Sequence, residues 1–173
     1  MVSTLLILGI VAASLALVWS ILRSGHSDIG SLDDWEAQRH EIDIQIFGLL
    51  LNRDEERYLR STLPRTQFVA FQRMRIGLAL RMLRLVEENA SMSMRLGQLA
   101  KINRDPVLSR TANEVVATAI QLRLNLLLVK PCLSLKWLFP SGVIFVPAFE
   151  KERYRHLLDC VVYIRLLNRQ ART

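Results

Sequence analysis

The chain has 173 residues, 51% of them hydrophobic, with 7 glycines, 5 prolines and a formal net charge of +7. That composition excludes a disordered or collagen-like chain and leaves room, behind any membrane segment, for one ordinary packed domain. The basic excess suits either nucleic acid or the anionic face of a membrane, and the two cysteines, Cys132 and Cys160, form no disulfide framework.

Met1 to Leu22 carry no charged side chain and run almost continuously apolar, through Leu5-Leu6-Ile7-Leu8 and Ala16-Leu17-Val18-Trp19, before Arg23. As a helix at ~1.5 Å per residue the run spans roughly 30 Å, the hydrocarbon thickness of a bilayer. A cleaved signal would begin with basic residues and end at a small-x-small site. No Lys or Arg precedes this run and Val18-Trp19-Ser20-Ile21-Leu22-Arg23 has no such site, so residues 1–23 read as a retained transmembrane anchor. Arg23 and Arg39 follow the span and no cation precedes it, which places the bulk of the chain on the cytoplasmic side of an inner membrane, as a single-pass protein. Cysteine usage agrees with a reducing compartment, although spacing alone leaves a single Cys132 to Cys160 bridge open.

Residues 24–64 form an acidic juxtamembrane section: a short hinge at Ser24-Gly25-His26-Ser27 and Gly30-Ser31, then short helices. Ser31 or Asp33 is placed to cap a helix entering Trp35, and an apolar stretch from Ile42 to Leu51 follows. Asn52 caps the next helix, whose first turn carries Asp54, Glu55 and Glu56, where the helix dipole favours negative charge, and Pro64 closes it. From Asp28 to Glu56 nine carboxylates stand against Arg39 and Arg53, whereas Arg65 to Arg104 holds eight cations against Glu87 and Glu88. The acidic section is therefore expected to meet the basic ones within one molecule.

A basic helical bundle is expected over residues 65–173. Its longest helix runs from about Gln67 to Ala100, with Phe68, Phe71, Leu78, Met82, Leu85, Met92, Leu96 and Leu99 as the core seam, interrupted only by Arg75 and Asn89. Arg73, Arg84 and Arg95 fall eleven residues apart on another face. Met74, Met82, Met92 and Met94 read as packing rather than as an adaptable groove. After the turn Asn103-Arg104-Asp105-Pro106, an antiparallel second helix begins with Asp105 as cap and Pro106 in its first turn. Arg123 and Asn125 argue against its crossing a membrane, and Pro131 is expected to end or kink it. Leu133 to Phe149 reads as a short apolar loop or strand-like insertion, too broken by Lys136 and Pro140-Ser141-Gly142 to span a bilayer. Trp137, Phe139 and Phe145 suit a membrane interface, but closure over the bundle core is the favoured role of that stretch. Pro147 starts the last helix, with Leu157, Val161 and Ile164 on one face.

Chemistry-bearing motifs are absent from the sequence: no phosphate-cradling glycine loop, HExxH, CxxC or nucleophile elbow. None of His26, His40 and His156 is read as having a second ligand at metal-site spacing, and Asp54, Glu55, Glu56, Glu87 and Glu88 lack the Glu-x-x-His recurrence of a di-metal bundle. No catalytic, cofactor or metal residue is assigned, and no cofactor is called for. Nucleic acid is disfavoured because the arginine-rich middle has no stacking aromatics beyond Phe68 and Phe71. The expected fold is thus all-α, one N-terminal transmembrane helix followed by a compact antiparallel bundle. The expected function is non-enzymatic, with the cytoplasmic bundle binding anionic lipid or a membrane-protein partner through Arg73, Arg84, Arg95, Arg153, Arg155, Trp137, Phe139 and Phe145. The alternatives are an enzyme acting on a lipid or membrane-embedded substrate, and a homo-oligomeric scaffold pairing through the 67–100 helix.

Overall fold

The structure is a computed structural model and describes residues 32–101, 105–142, 144–147 and 149–170. The predicted anchor at residues 1–23 and the hinge that follows lie outside the described residues. Helix accounts for 84% of what is described, and no strand occurs there. In chain order the helices are α1 (Leu32–Gln38), α2 (Ile44–Leu50), α3 (Arg53–Thr62), α4 (Arg65–Ala100), α5 (Pro106–Leu138) and α6 (Lys151–Gln170).

Local chemistry sets most of these boundaries. The Asp43 carboxylate accepts from the amides of Gln45 and Ile46, the Asn52 side chain from Asp54, and the Asp105 carboxylate from Val107, each satisfying donors that a helix start leaves free. Proline 106 sits in the first turn of α5, where a missing amide costs nothing. Pro64 both stops α3 and precedes the first residue of α4.

Two long helices make the centre. On α4 the buried stripe is Gln72, Ile76, Ala79, Leu83, Val86, Ala90, Ser93 and Gly97; on α5 it is Leu108, Ala112, Val115, Ala119, Leu122, Leu126, Val129 and Leu133. Both sets advance in alternating steps of four and three, a spacing of about 3.5 residues that holds one stripe against a neighbour along its full length. Gly77 lies beside Trp137, Glu87 pairs with Lys130, and Gly97 lies against Ala112 and Val115, so the contacts run in opposite chain directions along the two helices. Helix α6 adds Tyr154, Leu157, Val161 and Ile164 to the same core, and Trp35 of α1 and Phe47 of α2 close it.

Four expectations are corrected. The α4 seam holds only in part: Phe68, Met92 and Leu96 are buried as expected, but Phe71, Leu78 and Leu99 are exposed, and Arg75 and Asn89 are buried in the packed region rather than interrupting it. The core stripe uses small and polar residues, so choosing the largest apolar side chains partly picks a neighbouring face. Pro131 neither ends nor interrupts α5, which continues to Leu138; Val129 and Leu133 on either side are packed, while Pro131 itself is exposed. Residues 133–138 are consequently the last turns of α5, and the irregular segment begins at Phe139, with no strand among its described residues. Pro147 precedes rather than starts the last helix, which begins at Lys151.

By length and composition α5 is apolar enough to cross a membrane, despite Arg123 and Asn125. Its position between α4 and α6 accounts for one apolar face. The opposite face is apolar as well: Ile120, Leu124, Leu128, Leu135 and Leu138 are exposed, and their steps of three, four and seven residues put them on one side of the helix.

The acidic first section is tied to the basic helices. Arg165 of α6 forms a forked pair with Glu36 (Nη1 to Oε1 2.8 Å), His40 meets Glu88 at 3.1 Å, and Lys136 of α5 bonds Glu56. Buried Arg75 donates through Nη2 to the Leu49 carbonyl at 2.9 Å and to Glu55 at 2.8 Å, which fastens the end of α2 and the start of α3 to α4.

Candidate functional site

One end of the molecule gathers cations and aromatic rings. Arg53, Arg57 and Arg60 fall at i, i+4 and i+7 and therefore share a face of α3. That face, with Lys136 and Phe145, lines a cleft between α3 and the segment after α5, and the cleft continues past Arg60 to Arg65 and Phe68. Arg53 lies 5.3 Å from the Phe145 ring centroid and Arg60 5.2 Å from that of Phe68, distances at which a cation is attracted to the ring. Glu56 is the carboxylate in the lining and is shared between Arg60, at 3.5 Å, and Lys136. Asp54 pairs with Arg57 at 3.3 Å. Five cations thus stand against two carboxylates, and the surroundings of the cleft keep a positive balance.

The turn that shapes the far wall is tight. Phe139 closes α5 by donating to Leu135, and its own carbonyl accepts from Gly142 at 3.0 Å. A Cβ at Gly142 would sit 3.2 Å from that carbonyl oxygen, which favours glycine there. Leaving the helix this way turns Phe139 (62% exposed) and Phe145 (70%) outward, while Trp137, on the last turn, is 42% exposed. Arg73 lies 5.7 Å over the Trp137 ring. Farther along, Phe149 is buried edge-on against Phe47 with centroids 4.9 Å apart. The 133–149 stretch therefore divides: Leu133 and Phe149 at its ends are buried in the core, and between them Trp137, Phe139 and Phe145 show their rings to solvent.

Of the predicted contact residues, Arg73, Trp137, Phe139 and Phe145 come together at this end. Arg84 stands about 16 Å farther along α4 and pairs with Glu88 at 3.1 Å. Arg95 is farther still. In the first turns of α6, Arg153 pairs with Glu150 at 2.7 Å and Arg155 with Glu152 at 3.0 Å. Sequence patterning missed Arg57, Arg60 and Lys136, and counted Arg53 and Arg65 only as charge. The signal was present in the i, i+4, i+7 spacing of Arg53, Arg57 and Arg60, but a division into acidic and basic blocks broke that helix in two.

The carboxylates considered for a di-metal site do not converge: Asp54, Glu55, Glu56, Glu87 and Glu88 each meet a cationic or histidine side chain. A different cluster forms where α5 meets α6. His156 Nε2 lies 3.0 Å from Glu114 Oε1 and 3.6 Å from Cys160 Sγ. Burial, and after it the negative charges of Glu114 and Asp159, push the Cys160 thiol above its ordinary pKa. The one-turn spacing of His156 and Cys160 is legible in the sequence, contrary to the expectation that no histidine has a second ligand nearby; Glu114, from another helix, is not.

A scan of protein-family models, a search of curated proteins and a search of solved structures each find no match to this chain.

Proposed function

We propose that this chain is a non-enzymatic, single-pass inner-membrane protein. Residues 1–23 anchor it, and a compact antiparallel bundle on the cytoplasmic side docks its basic, aromatic end on anionic lipid headgroups. The observation that carries this reading is the cleft of Arg53, Arg57, Arg60, Arg65 and Lys136 beside exposed Trp137, Phe139 and Phe145. Arginines reach phosphates while aromatic rings settle among headgroups, and ~1 kcal/mol per basic residue is available near an anionic leaflet.

Orientation follows from reach. The described chain begins beside α6 and the far half of α4, where Trp35 donates to Ser93 and Glu36 pairs with Arg165. From Ser93 to Phe68, near the cleft, is roughly 37 Å along α4. Residues 23–31 extend at most ~30 Å. Anchor and cleft reach one bilayer together when the bundle lies along its surface.

The cleft beside Trp137 to Phe149 is lined by cations, with no histidine in its described lining, which favours binding over a lipid-directed reaction.

The test uses protein starting at Ser24, with its helix content checked by circular dichroism, and vesicles with and without phosphatidylglycerol. Sedimentation with anionic vesicles is expected to fall steeply as the Debye length shrinks from about 10 Å at 0.1 M salt to about 3 Å at 1 M. Arg53→Gln/Arg57→Gln/Arg60→Gln is expected to bind on the order of 100-fold more weakly, at ~1 kcal/mol per arginine. Folded protein that ignores anionic vesicles, or binds equally without the three arginines, contradicts lipid docking.

A further inference from the structure

We propose that Glu114 of α5 with His156 and Cys160 of α6 forms a zinc site that staples the two helices. One oxygen, one nitrogen and one sulfur donor lie within 4.8 Å of one another. Zinc bond lengths of about 2.0–2.1 Å to oxygen and nitrogen and about 2.3 Å to sulfur, at tetrahedral angles, require donor separations of about 3.3 Å (N to O) and about 3.6 Å (N to S). His156 Nε2 stands 3.0 Å from Glu114 Oε1 and 3.6 Å from Cys160 Sγ. The donors already approximate two edges of that tetrahedron, and a few tenths of an ångström of Glu114 movement complete the first.

The scaffold suits a site. His156 and Cys160 are one turn apart on the same side of α6, fixed by the packing of Leu157, Val161 and Ile164, while Glu114 comes from the neighbouring long helix beside buried Val115. A mixed oxygen, nitrogen and sulfur set selects zinc over magnesium or calcium, which take oxygen donors, and over copper(I), which takes sulfur. Cys160 is buried, whereas Glu114 and His156 are about half exposed, so the ion enters from the solvent side and a water completes its fourth position.

Proton balance is simple. Without metal the thiol keeps its proton and His156 shares a hydrogen bond with Glu114. In that bond Nε2–H donates to the carboxylate; on zinc binding the ring proton transfers through solvent from Nε2 to Nδ1, the metal takes the thiolate, the carboxylate and the neutral imidazole at Nε2, and one thiol proton leaves to solvent.

The full-length protein in detergent tests the site, with Co2+ and then Zn2+ as probes. Expected are a sulfur-to-cobalt charge-transfer band, tetrahedral d–d bands, and their loss on adding Zn2+. Glu114→Gln, His156→Ala and Cys160→Ser each should weaken Zn2+ binding by roughly 100-fold or more, at the strong end of what losses around a metal site cost. Because a core substitution can unfold the protein, alkylation of the unaltered chain gives a second readout: Zn2+ should protect Cys160 and leave the rate at half-buried Cys132 unchanged. No sulfur-to-cobalt band, equal zinc affinity in folded Cys160→Ser, or zinc that leaves Cys160 alkylation unchanged overturns the site.

Discussion

Asn89 is fully buried in α4 and through one amide joins α4 to α6 and to the segment between α1 and α2. Its Oδ1 accepts from the His40 backbone at 3.0 Å, and its Nδ2 donates to the His40 carbonyl and to the Tyr154 hydroxyl, both at 2.8 Å. Beside it Ser93 donates to the Asn89 carbonyl and accepts from Trp35 Nε1 at 3.2 Å. Such a network is costly to break, because each orphaned buried group keeps its desolvation penalty. Asn89→Ala is therefore expected to destabilise the protein by about 3 kcal/mol in chemical denaturation. A loss below about 0.5 kcal/mol, the range of ordinary surface substitutions, contradicts that role. Burial also raises the Tyr154 pKa, against a smaller lowering by the Asn89 hydrogen bond. A folded-state value above the unfolded ~10 means that the tyrosine's contribution is complete below about pH 10 and is lost as pH climbs through the folded value. Tyr154→Phe should flatten that alkaline fall. Capping at Asn52 and Asp105 was legible in the sequence because it depends on neighbours two residues away. Asn89 was not: only the fold brings His40 and Tyr154 to it, and a polar residue on a helix looks like a break in an apolar stripe.

At the scale of the element, the pairing of α4 and α5 depends on small residues at close approach. A Cβ at Gly97 would meet Val116 Cγ2 at 2.9 Å and the Ala112 carbonyl oxygen at 3.0 Å, whereas at Gly77 the nearest atom is Trp137 Nε1 at 3.9 Å. Both are helix-interior glycines, so alanine gains about 1 kcal/mol of helix propensity at either. At Gly77 that gain should survive, and Gly77→Ala is expected to stabilise by about 0.5–1 kcal/mol. At Gly97 backbone stands in the way, and overpacking should outweigh propensity to leave a net loss of about 1–2 kcal/mol. Equal effects at the two sites in parallel urea melts contradict the close packing. The extent of α4 was readable from apolar content, since it was expected from about Gln67 to Ala100 and runs from Arg65 to Ala100, whereas the prolines misled the reading of where α5 ends and α6 begins. Which face of α4 turned inward was only partly readable, because Ala79, Ala90, Ser93 and Gly97 pack well and score poorly as hydrophobic residues.

For the whole molecule, charge is laid out so that the acidic first section neutralises one part of the basic surface and leaves another. Glu36, Glu55 and Glu56 pair with Arg165, Arg75 and Lys136. Arg53 and Arg65, with Arg57 beside Asp54 and Arg60 sharing Glu56, surround a cleft at the end that also carries Trp137, Phe139 and Phe145, and cations outnumber carboxylates there. The net charge of +7 thus matters less than its position, since an anionic surface within a Debye length of about 8 Å responds to the local cluster rather than to the total. The three tryptophans allow a direct measurement of docking. Full-length protein carrying Trp19→Phe and Trp35→Phe keeps Trp137 as its sole indole and can be reconstituted in bilayers with and without anionic lipid, each containing brominated acyl chains. Lipid docking predicts a blue-shifted, strongly quenched Trp137 in anionic bilayers that reverts to a water-exposed spectrum at about 1 M salt. Trp137 emission that stays water-exposed and unquenched in anionic bilayers at low salt contradicts it.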